Sequence, residues 1–240
     1  MFTPIETTLG ALLLHLSTST LLLSNSETLG ASSLLTSNPT VLAGLLASAP
    51  LSLYLLPPTL IPTYPPPRTI LAPILIGLGS SLAAGCTSGH FLCGSARLSQ
   101  RSLVATASFC VSAALTTFLL DTAPGCVGAP CYTATYPSIP TTLLLSTIVA
   151  AAATGQYVIS RLPETETARN VARAYAGVVF GLGLLISGMA GSAKTLGFLA
   201  VGRWEKVDPS LAIVAVVGVG GNMVRWWRAG VGKKDRKSVV

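Results

Sequence analysis

Charge is what this sequence has least of. Only 10% of its 240 residues are Asp, Glu, Lys or Arg, against about 25% in an ordinary soluble domain. A chain of this length could bury a good core, but it lacks the polar residues that would cover the outside in water. Aromatic residues are also scarce, at 6%. None interleaves with the basic run at 233–237, so the net charge of +7 does not describe a base-stacking surface, and no nucleic acid is expected. There is no G-x-x-x-x-G-K-[ST] and no pair of carboxylates set for acid–base work. Gly181, Gly183 and Gly188 open no dinucleotide site, because no strand–helix–strand unit surrounds them. Cys86, His90 and Cys93 could offer three soft ligands, but a fourth is missing and the spacing is not that of a zinc site. No metal, no cofactor and no enzyme are expected.

What is present is hydrophobic sequence in long pieces. Half the residues are hydrophobic and the mean hydropathy is +0.67. A helix needs about 20 mostly apolar residues to cross the hydrocarbon core. Candidate segments lie at about 5–24, 41–61, 69–85, 102–120, 141–160, 174–190 and 209–227. Helices are expected because lipid offers backbone groups no hydrogen-bond partner. A β-barrel would alternate in polarity, and LLLSTIVAAAA at 143–153 does not. The first segment has no basic leader and carries Glu6 as its only early charge, so it is read as a retained helix. His15 within it is expected to be packed or hydrogen-bonded. The fold expected is all-α and integral to the membrane, a polytopic helical bundle.

The charges suggest an orientation. Segment 121–140 has no Lys or Arg, whereas 161–173 carries Arg161, Arg169 and Arg173. Arg225, Arg228, Lys233, Lys234, Arg236 and Lys237 follow the last apolar segment. Basic loops stay in the cytosol and bind anionic lipid there. The C-terminus and 161–173 are therefore expected inside and 121–140 outside, in the plasma membrane. Lys194, Arg203 and Lys206 fall against this rule unless 191–206 re-enters the bilayer. Trp226 and Trp227 suit an interfacial belt. Pro57, Pro58, Pro62 and the run at 65–67 read as a loop, and Pro163–Thr167 as a solvated linker.

Five cysteines are present. Cys126 and Cys131, in PGCVGAPCY, could form a disulfide outside the cell or stand as two thiols in a turn. Cys110 reads as a small packing residue. Cys86 has different company. Gly85, Cys86, Thr87, Ser88, Gly89 and His90 end an apolar segment. Glycine lets the backbone turn sharply or approach a ligand. Irregular backbone at membrane depth survives only where protein buries it or a cavity wets it. Gly85–His90 therefore reads as a re-entrant turn facing a path through the protein.

Residues 85–105, GCTSGHFLCGSARLSQRSLVA, resemble the signature of the YeeE/YedE family of sulfur-compound transporters, its fungal members in particular. Residues 181–199, GLGLLISGMAGSAKTLGFL, are similar to that family's second core segment, and Asp208, Pro209, Ser210 and Leu211 extend the match. Leu29, Gly30, Ala31 and Ser32 look like a weakened first element. The resemblance implies two pseudo-symmetric inverted halves with re-entrant broken helices. It divides the chain into a first repeat at 1–160, a polar cytosolic linker at 161–173, a partial second repeat at 174–227 and a basic tail at 228–240. It implies transport of thiosulfate or a related sulfur anion along a narrow cysteine-lined path. Thiosulfate is a soft anion and a thiol is a soft, weakly donating partner. By match, Cys86 is the path thiol, Gly85 and Gly89 shape its turn, and His90 is a neighbouring polar group. Ser187, Gly188 and Met189 form the other break, with Lys194 beyond it either attracting the anion or reaching for a headgroup.

The match is incomplete. Ser26 and Ser33 stand where the family has glycine, and Ser192 where it has proline. The cysteine-bearing element that normally follows the region of Asn222 is absent, which removes the partner of the Gly85–His90 turn. Two alternatives follow: a scaffold of the same family that does not transport, and a membrane enzyme handling sulfane sulfur through Cys86 and Cys93. The second has little support, since only His90 could act as a nearby base.

Overall fold

The computed structural model describes residues 2–25, 27, 29, 39–57, 66–83, 85–126 and 128–228, without the side chains of 66–73. Ser26, Gly30–Ser33, Pro58, Pro62, Pro65 and the basic run at 233–237 lie outside the described residues. The described residues form an all-α polytopic membrane protein and contain no strand, only a single bridge between Phe2 and Ala134. The helices are α1 (Pro4–Asn25), α2 (Pro39–Leu55), α3 (Pro66–Leu82), α4 (Gln100–Leu120), α5 (Ile139–Ile159), α6 (Glu166–Ser187), α7 (Ser192–Phe198) and α8 (Ser210–Arg228). Among them α1, α4, α5, α6 and α8 are long and apolar enough to cross a bilayer, and α2 is a shorter apolar helix. The apolar segments read from sequence reappear within a few residues. One difference is α6, which starts at Glu166 inside the expected linker. Thr165 caps it by accepting the Ala168 N–H at 3.2 Å, and Glu166 suits the positive end of the helix dipole. Pro66 and Pro67, expected in a loop, open α3, where a missing N–H costs nothing.

The core is built on α1 and α6. They run antiparallel: a Cβ placed on Gly10 would meet Ser187, one on Gly183 would meet Leu14, and Ser17 donates to the Ala176 carbonyl at 2.7 Å. On the other side of α6 lies α2, running parallel to it, with Val41 against Gly177 and Ser48 against Gly181. Beside α1 lies α8, also parallel, with Ala11 near Gly218 and Asn222 bonded to His15. Each of the two central helices thus has one parallel neighbour, α8 beside α1 and α2 beside α6. Lipid tails give helices little reason to associate, so small residues that let backbones touch do the work. The buried hydroxyls of α1 cost little. Thr18, Ser19 and Thr20 donate to carbonyls of the preceding turn at 2.7–2.8 Å. In contrast α4 and α5 are mostly exposed, with Leu115, Phe118, Leu119 and Leu143 outward, as a lipid-facing layer requires.

One end of the bundle gathers Phe2, the 121–138 loop and the 199–208 loop. Phe2 donates to the Cys131 carbonyl at 3.0 Å, and Cys131 to that of Glu205 at 2.8 Å. Cys126 and Cys131 are joined as a disulfide. Asp121 pairs with Arg203 and, at 2.6 Å, with Lys206. Those two cations, anomalous by loop charge, are thereby partnered on this face. At the opposite end Arg173 holds Glu27 at 2.7 Å and Glu166 at 3.1 Å.

Candidate functional site

Helix α3 ends at Leu82, and the chain is irregular at 85–86 before turning helical again. The break therefore precedes His90, which sits inside a π-helical turn, Gly89–Gly94. Sequence reading placed the whole of Gly85–His90 in the turn; the backbone re-coils sooner because Cys86 starts the new helix. Its Sγ accepts the Gly89 N–H at 3.2 Å and lies 3.1 Å from the Ser88 hydroxyl. Cys86 is 4% exposed.

His90 packs across the break. Its Nδ1 lies 3.1 Å from the Ser102 hydroxyl of α4, and its buried Nε2 has no hydrogen-bond partner among the described residues. A Cβ on Gly85 would come within 2.5 Å of that Nε2. Position 85 is thus glycine because the imidazole occupies the space of a side chain. Gly94, which sequence reading passed over, has the same relation to Ser102, whose hydroxyl would lie 2.1 Å from a Cβ. A wide π turn places successive side chains off the usual helical stagger and is frequent at functional sites. Among the described residues no three His, Cys, Asp or Glu side chains are placed to hold a metal ion.

The second break follows α6. Gly188 has φ +73, a left-handed conformation that stops a helix and suits glycine. Ser187 is fully buried against Gly10. Lys194 does not reach outward. Its Nζ donates to Thr3 Oγ1 at 2.5 Å, Thr7 Oγ1 at 3.2 Å and the Ser187 carbonyl at 3.0 Å. It therefore satisfies a carbonyl left open at the end of α6. Burial pushes the Lys194 ammonium below its usual range, against the opposing pull of Asp208 and Glu6. Lys194→Met leaves that carbonyl without its charged donor and should cost about 1–3 kcal/mol, read as a lower thermal midpoint of the detergent-solubilised protein. An unchanged midpoint would mean that the ammonium contributes nothing net there.

Leu92, in the π turn after Cys86, and Met189, at the second break, pack into one apolar cluster with Cys93, Phe180 and Val214.

Asn222 joins the halves. Fully buried, it donates through Nδ2 to the Leu92 carbonyl at 3.2 Å and to Thr18 Oγ1 at 2.9 Å. Its Oδ1 lies 2.7 Å from His15 Nδ1, so that nitrogen carries the proton. His15, expected from sequence to be packed or hydrogen-bonded, is hydrogen-bonded, and its partner Asn222 was not foreseen. A carboxamide within an apolar segment was the signal available. α8 carries its own π-helical turn, Ala215–Val219, and its Gly218 packs against Leu92. Asp208 anchors the start of α8 by accepting the Ser210 N–H at 2.9 Å and its hydroxyl at 2.5 Å.

Among the open cavities lined by described residues, three flank this centre. One of about 710 Å³ runs along α4 from Ala83 to Thr122. Another of about 720 Å³ lies between α1 and α8, lined by His15, Gly221, Arg225 and Arg228. A third of about 450 Å³ lies between α5 and α6. Cys86 lines none of these three.

Buried polar groups and broken, π-turned helices inside a lipid-facing shell define a polytopic membrane protein with a worked interior. Residues 5–115 match the family model described as sulphur transport, and 169–238 match that of a family of unknown function (DUF6691). The first match holds the Cys86 break, the second the Ser187–Lys194 break and Asn222. A stretch of 46 residues is 56% identical to a probable transporter of Xylella fastidiosa strain 9a5c and to one of strain Temecula1. It covers 19% of this chain and 34% of each relative, so the match spans about a third of the length of those curated proteins. No solved structure matches. Residues 5–115, a little under half of the chain, are thus similar to the YeeE/YedE sulphur-transport family.

Proposed function

We propose that this protein is a membrane transporter that carries a small sulfur-containing anion of the thiosulfate type, with Cys86 as the thiol that meets the cargo. The observation that carries this reading is the position of the Cys86 sulfur. It sits at a helix break inside the matched sulphur-transport segment and within reach of the Gly89 N–H. An anion arriving there would take over that N–H, while the thiol donates weakly to the terminal sulfur. A thiolate would instead repel the cargo. Gly85 and Gly89 let the break move, and movement is needed because the thiol is covered in this conformation. The halves 1–160 and 174–227, linked through 161–173, rock against each other about the α1–α6 contact. The 121–140 loop faces outside. The 161–173 segment and the basic tail at 228–240 face the cytosol of a plasma-membrane protein.

Uptake of labelled thiosulfate into vesicles containing the purified chain tests this. Wild type should accumulate label and Cys86→Ala should fall to background. Equal uptake by both would remove Cys86 from the path. One observation favours a second reading, a non-transporting scaffold: the near-complete burial of Cys86. No uptake by either protein supports that reading.

A further inference from the structure

The groove between α1 and α8 has no part in the reading above, yet its lining is unusual for a membrane protein. Gly221, Arg225 and Arg228 succeed one another at intervals of four and three residues, so they share one face of α8. His15 stands on the facing side of the groove, halfway along α1. Gly221 makes room for it: a Cβ there would lie 3.1 Å from the imidazole Cγ and Nδ1. From Gly221 to Arg228 the groove follows about 10 Å of helix, from mid-depth to the end of the bundle opposite the disulfide loop. Neither Arg225 nor Arg228 has an ion-pair or hydrogen-bond partner among the described residues, and the lining includes no acid. Two unpaired guanidiniums in a groove of about 720 Å³ present charge-assisted donors to a divalent oxyanion. The inner end is tied to the first break. Asn222, neighbour of Gly221, holds His15 on one side and the Leu92 carbonyl of the π turn on the other.

We propose that this groove is the anion-binding mouth of the protein on the face opposite the disulfide loop, where Arg225 and Arg228 hold a small divalent oxyanion at the inner limit set by His15. This inference rests on the transport reading for its purpose but not for its test. The chemistry is shared by a free sulfur or phosphorus oxyanion and by an anionic lipid headgroup; the groove is assigned to the free anion because it runs inward to a fixed imidazole and an amide bonded to the π turn.

Equilibrium binding of radiolabelled thiosulfate and sulfate to the full chain in nanodiscs of neutral phosphatidylcholine tests the assignment. Wild type should bind both, more weakly as ionic strength rises. Arg225→Gln/Arg228→Gln should bind about tenfold or more weakly, while Arg101→Gln, on exposed α4, should bind as wild type does. Elution of the double variant as the same monodisperse species checks that it folds. Binding unaffected in the double variant overturns the proposal. So does an absence of binding by wild type, including the case in which native mass spectrometry finds only phosphatidylglycerol retained through the two arginines. Groove binding that persists in a protein showing no uptake would sink the transport reading and leave this site standing.

Discussion

Gly177→Leu should leave almost no correctly folded protein. A Cβ at 177 would lie 2.2 Å from the Val41 carbonyl oxygen and 2.8 Å from the Leu45 nitrogen. Both are backbone atoms of α2 and cannot rotate aside. Helices α2 and α6 would have to separate along the seam that also holds Gly44 against the Ala174 carbonyl. Overpacking commonly costs about 1–3 kcal/mol where side chains can give way; a backbone wall puts this case at the top of that range or beyond. Gly77→Leu is the matched control, since a Cβ at Gly77 meets nothing within 4 Å. The measurement is the monodisperse fraction and thermal midpoint of both variants in detergent. Similar midpoints would show that the α2–α6 seam is not the close contact described.

The second large effect is expected at Asn222. Asn222→Ala removes the groups that bond His15, Thr18 and the Leu92 carbonyl, leaving buried partners unsatisfied. Each such loss costs about 1–3 kcal/mol in water-soluble cores, but interhelical hydrogen bonds in membranes average nearer 0.6 kcal/mol. A total of about 2 kcal/mol is therefore expected. Asn222→Asp should be worse than Ala despite its similar shape. It places an acceptor oxygen where an N–H₂ now faces the Leu92 carbonyl, and it adds a charge at depth. The predicted order of thermal midpoints is Asn, then Ala, then Asp. Asp equal to wild type would mean that the amide donates to no carbonyl there. Uptake should also fall in Asn222→Ala, because the π turn after Cys86 loses its hold on α1 and α8.

What could be read in advance was local. The apolar segments are written residue by residue, since each helix must satisfy its own backbone in lipid. The end of α6 was legible only through the resemblance that placed a break at Ser187–Met189, since the apolar segment itself runs on to about 190; the left-handed Gly188 stops the helix. The Gly85–Cys86 break was visible too, though its extent was not, because the re-coiling at 87 depends on the Cys86 sulfur taking a backbone N–H. Lys194 was the plainest case of ambiguity. A lysine near a helix end can go to a headgroup, to an anion or back to a carbonyl, and only the proximity of Thr3, Thr7 and Ser187 selects the last.

From the sequence alone came the solvent, the family resemblance and the residues that interrupt the helices, because hydropathy, motif and backbone freedom belong to contiguous stretches. Tertiary structure decided the rest: that α1 and α6 form the centre, that α8 lies along α1 and α2 along α6, and that Asn222 ties that centre to the turn after Cys86. Those contacts join residues as many as 207 positions apart. They exist only once small residues allow two backbones to touch, which no single stretch of chain can specify.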